Sequence, residues 1–344
     1  MTKSRIGRPR IVLAISLAAI LLLVSAFVPA MNITHAASAP ITQVNSGLVA
    51  ADSLTTGNTA GWAIAGNAPP GGSVSNENSS GLYLAVKSAT GGTWAGFFAK
   101  SPNTNAMLFH AVLKLPYSTI PDNVFDTGLY VQTSNPNLID YVACAAVVSP
   151  SGYYWSLVQA FGPATGAVTT TNLWTSAVNT LPLTQDCTII TNGSNYLKAY
   201  LGGILVYQSS SLVLNMPSPY NSYLEVQTNS ASAMRFGNYL YYYADSSENV
   251  TVTNAAAGGT VKILGPTNNV LASAPVSSAG TAIAVIGQYR LPLTASIQAY
   301  DSAGNLVAST PSSVTLWGGD VYAVSTPNPA PAGHVTQTGT GLDH

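Results

Sequence analysis

Two turn sequences, Asn192-Gly193 and Gly202-Gly203, divide the stretch from Cys187 to Gln227 into short runs rich in β-branched and aromatic residues. Asn-Gly and Gly-Gly pairs readily adopt the positive φ angles of tight hairpin turns. The stretch is therefore predicted to form an antiparallel meander. A chain with this feature must be organised around sheets whose neighbouring strands follow one another in the sequence.

Alternation along these predicted strands assigns one face to the core, because successive side chains of a strand point to opposite sides. The aliphatic face comprises Leu197, Ala199, Leu201, Leu224 and Val226. The opposite face comprises Tyr196, Lys198, Tyr200, Tyr223, Glu225 and Gln227. We expect the aliphatic face to be buried and the polar, aromatic face to form a displayed surface.

Strand-length runs separated by Gly, Pro, Asn and Ser recur through the rest of the larger, N-terminal part of the chain. They cover residues 81–86, 93–100, 106–115, 128–133, 139–148, 153–161 and 236–244. With the meander they supply about a dozen strands, which need two stacked sheets rather than one. The predicted fold class is all-β, and a helical protein is not expected.

The N-terminus has the pattern of an export signal. Four basic residues among the first ten precede an uncharged apolar run over residues 11–30, and small residues follow it. We expect cleavage after Ala36, so that residues 1–36 are the signal and the mature protein is extracellular or on the cell surface. The alternative is an uncleaved membrane anchor, since the run approaches the ~20 residues that span a bilayer.

Removing residues 1–36 leaves seven basic and twelve acidic residues, a net charge of −5. Nucleic-acid binding is therefore not expected. Cys144 and Cys187 are the only cysteines, and two cysteines in an exported protein usually pair. We predict a disulfide between them, with two buried thiols as the alternative; two cysteines without a nearby histidine do not make a metal site.

Several segments together resemble a known family. An aspartate-containing lead-in ending at Trp62, the runs GLYLAV, WAGFF, FHAVLKLP and GLYVQT, and the hairpin TNGSNYLKAYLGGILVY are involved. Their order and spacing are similar to those of the concanavalin A-like lectin/glucanase jelly rolls, including laminin-G-like modules. The resemblance spans about residues 45–245 and implies a jelly-roll sandwich, which we place at residues 41–246.

The character of the sequence changes after Asp245-Ser246-Ser247. Residues 261–275 and 297–311 repeat one pattern of a strand, a short turn and a returning strand. These hairpins and their neighbours resemble a small immunoglobulin-like β-sandwich, predicted here for residues 247–326. The Pro-, Gly- and Thr-rich residues 327–344 are predicted to be a disordered tail.

Catalytic patterns are sparse. The Glu-x-Asp-x-x-Glu string of laminarinase-type glucanases does not occur, and Glu77, Glu225 and Glu248 are the only glutamates. Gln132 and Glu225 look similar in setting to the Gln and Glu of jelly-roll glutamic peptidases, so they are the catalytic candidates if the protein is a hydrolase. No cofactor is expected, apart from a calcium ion considered at Asp52 and Asp245 because many jelly rolls of this class hold one near the chain ends.

Aromatic faces with amides and carboxylates suit sugar rings, through stacking and hydrogen bonds to hydroxyls. The predicted ligand surface consists of His110, Tyr130, Gln132, Lys198, Tyr223, Glu225 and Gln227. The sequence thus favours an exported carbohydrate-binding or adhesion protein without catalysis, with a glycan or cell-surface polysaccharide as partner. The alternatives are a secreted jelly-roll hydrolase and a self-associating subunit of a surface coat or filament.

Overall fold

The computed structural model describes residues 38–57, 62–68, 73–88, 93–99, 106–122, 124–230 and 233–325. The predicted export signal and the predicted tail lie outside these residues. Throughout the described part every helix or strand is a β-strand, so the all-β prediction is confirmed. Within the same residues there is no helix long and apolar enough to cross a membrane.

The described strands are numbered in chain order. The first eight are β1 (Ala39–Asn45), β2 (Leu48–Asp52), β3 (Trp62–Gly66), β4 (Ser73–Asn78), β5 (Gly81–Val86), β6 (Thr93–Ala99), β7 (Leu108–Lys114) and β8 (Phe125–Thr133). The next eight are β9 (Tyr141–Ser149), β10 (Gly152–Phe161), β11 (Thr169–Thr175), β12 (Thr184–Thr191), β13 (Leu197–Leu201), β14 (Ile204–Ser209), β15 (Tyr220–Thr228) and β16 (Arg235–Asp245). The last eight are β17 (Asn249–Thr253), β18 (Thr260–Leu264), β19 (Val270–Pro275), β20 (Ala282–Val285), β21 (Leu293–Tyr300), β22 (Leu306–Ser309), β23 (Val314–Leu316) and β24 (Val321–Val324).

The described strands form three sheets, and two of these form the sandwich. The seven-stranded sheet has the order β11-β10-β9-β8-β15-β6-β3, and the eight-stranded sheet has the order β14-β13-β12-β7-β16-β5-β4, with β2 also paired to β16. The chain passes repeatedly from one sheet to the other, as it does from β6 to β7 and from β7 to β8. This wrapping is the jelly-roll sandwich that the sequence resemblance implied.

The main hydrophobic core lies between these two sheets, where the aliphatic faces predicted from alternation meet. Phe109, Leu129, Leu197 and Leu224 are all fully buried in it, and the β12-β13-β14 meander is antiparallel as predicted. Trp155, whose direction the sequence did not determine, also points into this core.

The predicted disulfide is confirmed. Cys144 on β9 and Cys187 on β12 are bonded, with their Cα atoms 6.1 Å apart. Because β9 and β12 belong to different sheets, the bond joins the two layers of the sandwich across its core.

Several strands of the sandwich, including β3, β4 and β11, have no counterpart among the predicted runs. These three all lie at the ends of their sheets. In β11 most residues are exposed. Because neither face of this edge strand is well covered, its sequence lacks the apolar alternation on which strand prediction depends. The sequence SVSNEN of β4 is likewise almost entirely polar.

The C-terminal strands form a third sheet, with the order β19-β18-β21-β22-β1-β24-β17-β20 and β23 paired to β21. The two repeated hairpins are present as β18-β19 and β21-β22. The end strands β19 and β20 lie against each other, so the sheet curls nearly into a barrel. The predicted immunoglobulin-like sandwich is therefore not confirmed.

The N-terminal strand β1 belongs to this C-terminal sheet, although the domain prediction included most of it in the jelly roll. It pairs in parallel with β22 and antiparallel with β24. Ile41 of β1 is 1% exposed and lies in the core of the C-terminal sheet. The described N-terminal strand therefore stabilises the module at the other end of the chain.

The outer face of the eight-stranded sheet packs against the C-terminal sheet. Leu108, Ile190, Tyr200 and Tyr243 from the jelly roll share one hydrophobic core with residues of the C-terminal strands. This face carries Lys198 and Tyr200, which we expected to be displayed. That expectation is wrong for this sheet, because the second module covers it.

Candidate functional site

The seven residues of the predicted ligand surface lie on two sheets rather than one. His110 and Lys198 belong to β7 and β13 of the eight-stranded sheet, whereas the other five belong to β8 and β15 of the seven-stranded sheet. The expectation that one sheet presents all of them is therefore wrong. Alternation gave the face of each strand correctly, but it contains no information about which sheet a strand joins.

His110 is part of the junction between the two modules. It is 1% exposed, stacks on Tyr243 with ring centroids 4.5 Å apart, and its Nδ1 lies 2.9 Å from the Thr188 hydroxyl. Its Nε2 lies 3.3 Å from Asp186 Oδ1, whose other ionic neighbour is Arg290. Burial lowers the pKa of His110 although the Asp186 carboxylate opposes this, so the imidazole is a neutral packing group.

Lys198 also lies at the junction. Its Nζ donates hydrogen bonds of 2.8 and 2.7 Å to the two carboxylate oxygens of Glu248, and Tyr196 donates one of 2.9 Å to the same group. Burial acts to lower the pKa of Lys198, but these partners outweigh it and raise the pKa above its usual value. The side chain is committed to an ion pair and does not form part of an open surface.

The outer face of the seven-stranded sheet carries the other five predicted residues, and small residues surround its centre. In the strand register Ser156 pairs with Ala145, and Ala145 pairs with Gly128. Glu225 pairs with Gly128 on one side and with Gly96 on the other. Short residues on β10, β9, β8 and β6 therefore form a row in which Glu225 of β15 is the one long side chain. Glu225 is 7% exposed.

A hydrogen-bonded network connects Glu225 to the next strand. Gln227 Nε2 donates to Glu225 Oε1 at 2.7 Å and to the Tyr130 hydroxyl at 3.4 Å. The Tyr130 hydroxyl in turn donates to Asp126 Oδ1 at 3.0 Å. Asp126 pairs directly with Gln227 across β8 and β15. One amide and one phenol therefore link two carboxyl groups on a single sheet face.

Both carboxyl groups have raised pKa values. Burial raises the pKa of Glu225 to about 8, helped by the charge of Asp126 and opposed by the hydrogen bond from Gln227. Burial raises the pKa of Asp126 to about 7, opposed by the hydrogen bond from Tyr130. Near neutral pH both groups are thus within about one unit of their titration points, where a carboxyl group can either donate or accept a proton.

Three residues of this network, Asp126, Tyr130 and Gln227, border an open pocket of about 260 Å³, whereas Glu225 does not line it. Asp126, Tyr130, Tyr141 and Gln227 line it, together with short or apolar residues of β9, β10 and β11. The rings of Tyr130 and Tyr141 are 5.3 Å apart and tilted by 58°. The pocket thus combines two aromatic rings, a carboxyl group and an amide within reach of one ligand.

The remaining predicted residues flank this network. Tyr223 pairs with Tyr130 and packs beside it, whereas Gln132 pairs with Tyr141 and Asn221 at the far end of β8. The amide bonded to Glu225 belongs to Gln227 and not to Gln132. The structure therefore does not bring together Gln132 and Glu225, the pair considered for a hydrolase, in direct contact.

Asp126 and Tyr141 are among the pocket residues that were not predicted. The run used for β8 began at Gly128, but the strand begins at Phe125. Continuing the alternation by two residues places Asp126 on the face of Tyr130 and Gln132. Tyr141 lies at the first position of β9, inside the predicted run 139–148, whose nearly continuous apolar and small residues do not indicate an outer face.

The considered calcium site is not assembled from Asp52 and Asp245. Asp52 accepts hydrogen bonds from the Leu54 amide at 2.8 Å and from the Trp62 indole at 2.7 Å. Asp245 is 0% exposed and accepts one from the Gly318 amide at 2.9 Å. Across the described residues, no group of three or more His, Cys, Asp or Glu side chains is placed to hold a metal ion.

No family model and no curated protein matches the chain. Among solved structures it is similar to a glycoside hydrolase family 16 endo-glucanase from Bacteroides ovatus, with 8% identity, a TM-score of 0.43 and coverage of 57% of this chain and 100% of that one. For LamAcat from Zobellia galactanivorans the values are 12%, 0.42, 58% and 98%. For the potassium-bound carbohydrate recognition domain of Emp46p they are 10%, 0.39, 60% and 99%. These identities and TM-scores are too low to carry an argument about activity.

Proposed function

We propose that the protein binds a carbohydrate chain in the pocket bordered by Asp126, Tyr130, Tyr141 and Gln227. The observation that carries this proposal is the convergence of two tyrosine rings, a carboxyl group and an amide on one open pocket. A sugar ring presents C–H groups that stack on aromatic faces and hydroxyls that hydrogen-bond to carboxyl and amide groups. The row of short residues leading to Glu225 leaves room for the chain to continue along the sheet.

A glycan-array screen of the mature protein, followed by titration with the strongest ligand, tests this proposal. Gln227→Ala removes the amide that lines the pocket and donates to Glu225 and to the Tyr130 hydroxyl, and we expect it to weaken binding at least tenfold. Tyr300→Phe, on the C-terminal sheet, removes a tyrosine hydroxyl whose partner is Gln298 and serves as the matched control. Unchanged affinity in Gln227→Ala, or equal losses in both variants, would contradict binding at this pocket.

Glycoside hydrolysis on the same sheet face is the second candidate, with Asp126 in the pocket and Glu225 beside it, bonded to the pocket-lining Gln227. The raised pKa values of Asp126 and Glu225 favour it. Glycosidases commonly use two carboxyl groups, one protonated to assist the leaving group and the other ionised to act as base or nucleophile. Coupled carboxyl groups that titrate near neutral pH meet that requirement. Here either group could hold the proton.

Release of reducing sugar from every glycan that binds, measured from pH 5 to pH 9, separates the two candidates. A hydrolase would lose turnover in both Asp126→Asn and Glu225→Gln while keeping affinity for its substrate. Binding without turnover in the wild-type protein would exclude the second candidate for those glycans. A generic peptidase assay in parallel addresses the peptidase-like variant of the hydrolase alternative.

We further propose that the protein is exported and works at the cell surface or beyond it. The basic and apolar pattern of residues 1–36 supports this, and so does the Cys144–Cys187 disulfide, because such bonds persist in oxidising compartments. N-terminal sequencing of the secreted protein should begin at Ala37. Ordered multimers formed without any glycan would instead favour a coat or filament subunit.

A further inference from the structure

A second cavity, of about 420 Å³, opens at the β11 end of the seven-stranded sheet. Its apolar wall consists of Leu138, Phe161, Leu173, Leu212 and Val213. Thr171 and Leu173 line this cavity, whereas Thr170 lines the first pocket. Because side chains alternate along β11, the two spaces lie on opposite faces of the sheet.

This cavity opens at the surface and extends to the edge of the jelly-roll core. Leu173 and Leu212 pack against the core residues between the two sheets. At the rim, Phe161 is 44% exposed and Val213 is 82% exposed. Ligand sites typically measure about 300–1,000 Å³ and combine apolar walls with a few polar groups. The volume and lining therefore suit the apolar body of a small molecule.

One acidic group faces the cavity with half of its hydrogen-bonding capacity unused. Asp140 lines the cavity and is 2% exposed. Its Oδ1 accepts a hydrogen bond of 2.9 Å from the Gly162 amide. Its buried Oδ2 accepts none from any described residue. A buried carboxyl oxygen without a hydrogen-bond donor costs free energy, and a ligand that donates a hydrogen bond to Oδ2 would remove that cost.

The other buried polar side chain here does not supply that donor. Gln159 Nε2 donates to the Val213 carbonyl at 2.8 Å, which fixes the wall formed by the 212–215 segment. Among the ion pairs found in the described part of the chain, none includes Asp140. The acidic group is therefore matched by neither a cation nor a side-chain donor of the protein.

We propose that this cavity binds an aliphatic primary amine, with its hydrocarbon part against Leu138, Leu173 and Leu212 and its ammonium group at Asp140. An ammonium group offers three donors and a positive charge to a carboxylate. The apolar wall disfavours a sugar, whose hydroxyls would find few partners there. This site is separate from the proposed carbohydrate pocket and does not depend on it.

Isothermal titration of the mature protein with three eight-carbon probes tests the proposal. The probes are n-octylamine, n-octanol and octanoate, which share one chain and differ in the head group. At pH 7 we expect n-octylamine to bind at least tenfold more tightly than octanoate, with n-octanol between them. Equal affinity for octanoate, or for n-octanol, would overturn the assignment of an ammonium site.

Two variants locate the binding. Asp140→Asn keeps an acceptor for the Gly162 amide but loses the charge, and it should abolish the preference for the amine. Leu212→Trp fills the cavity and should weaken the binding of all three probes. Its melting temperature is measured to confirm that the variant is folded. Asp126→Asn, in the other pocket, should leave the three affinities unchanged. An amine preference that persists in Asp140→Asn would refute the proposal.

Discussion

Glu225 is a buried carboxyl group whose ionisation the fold opposes, since its pKa is raised to about 8. A raised carboxyl pKa means that the folded state holds a proton that the unfolded state releases near pH 4.5. The stabilisation is therefore complete below that pH and is lost as the pH rises through about 8. We predict that Glu225→Gln removes this pH-dependent loss of stability. The slope of the unfolding free energy against pH should change by up to about 1.4 kcal/mol per pH unit.

Urea unfolding of the wild type and of Glu225→Gln between pH 5 and pH 8 measures this slope. Asp301→Asn is the control, because Asp301 lies in an exposed turn and its neighbours, Asn305 first, lower its pKa. That carboxyl group stays ionised throughout the range in both folded and unfolded chains. Parallel pH curves for wild type and Glu225→Gln would show that Glu225 is not the titrating group.

The sequence identified part of this site and missed the rest for definable reasons. Tyr130, Glu225 and Gln227 follow from alternation along their strands. Asp126 required the true start of β8, which lies beyond the apolar run that marked the strand. The burial of His110 could not be predicted, because nothing in FHAVLKL indicates that a module formed from later residues covers this face.

At the scale of elements, the ion pair between Lys198 on β13 and Glu248 before β17 connects the two modules. Both side chains are about nine-tenths buried. Removing one partner of a buried pair leaves an uncompensated charge and typically costs about 3–5 kcal/mol. We predict that Glu248→Ala destabilises the protein by this order in thermal or urea unfolding.

The double variant Lys198→Met/Glu248→Leu distinguishes charge from packing. It removes both charges and keeps apolar volume, so it should recover most of the stability lost in Glu248→Ala. A double variant as unstable as the single one would show that the hydrogen bond from Tyr196, and not the unpaired lysine, dominates the loss.

The disulfide is the other cross-connection, between β9 and β12. Closing a loop over a separation of 43 residues limits the unfolded chain, and a native disulfide commonly contributes about 2–5 kcal/mol. We predict that Cys144→Ala/Cys187→Ala lowers the unfolding free energy by this amount while leaving the fold intact. A reductant should shift the wild-type melting temperature toward that of the variant and leave the variant unaffected.

Elements with one covered face were predictable and those without one were not. Apolar alternation located β5 and β7 closely, since each covers the core with every second residue. The edge strand β11 has no such face. The partners of β1 were equally inaccessible, because APITQVN fits the edge of any sheet and its neighbours lie at the other end of the chain.

At the scale of the whole molecule, the position of β1 predicts the effect of shortening the N-terminus. A chain starting at Ser46 lacks the strand that lies between β22 and β24, so both would lose backbone partners and Ile41 would leave its core. We expect faster hydrogen exchange in β22 and β24 and a lower melting temperature. A chain starting at Ser38 keeps β1 and should behave as the mature protein does; equal exchange in the two chains would contradict the role of β1.

The position of β1 also affects the order in which the parts of the protein can fold during synthesis. Ribosomes produce β1 among the first described residues, but its neighbours β22 and β24 come last. The jelly-roll strands all lie between them in the sequence, and domains commonly fold as soon as their own segments are complete. β1 must therefore wait, unpaired, until synthesis is almost finished.

Its pairing spans nearly 270 residues, from Ala39 to Ala308, and such distant contacts form slowly. Completion of the C-terminal sheet is thus expected to be the last event in the maturation of this chain.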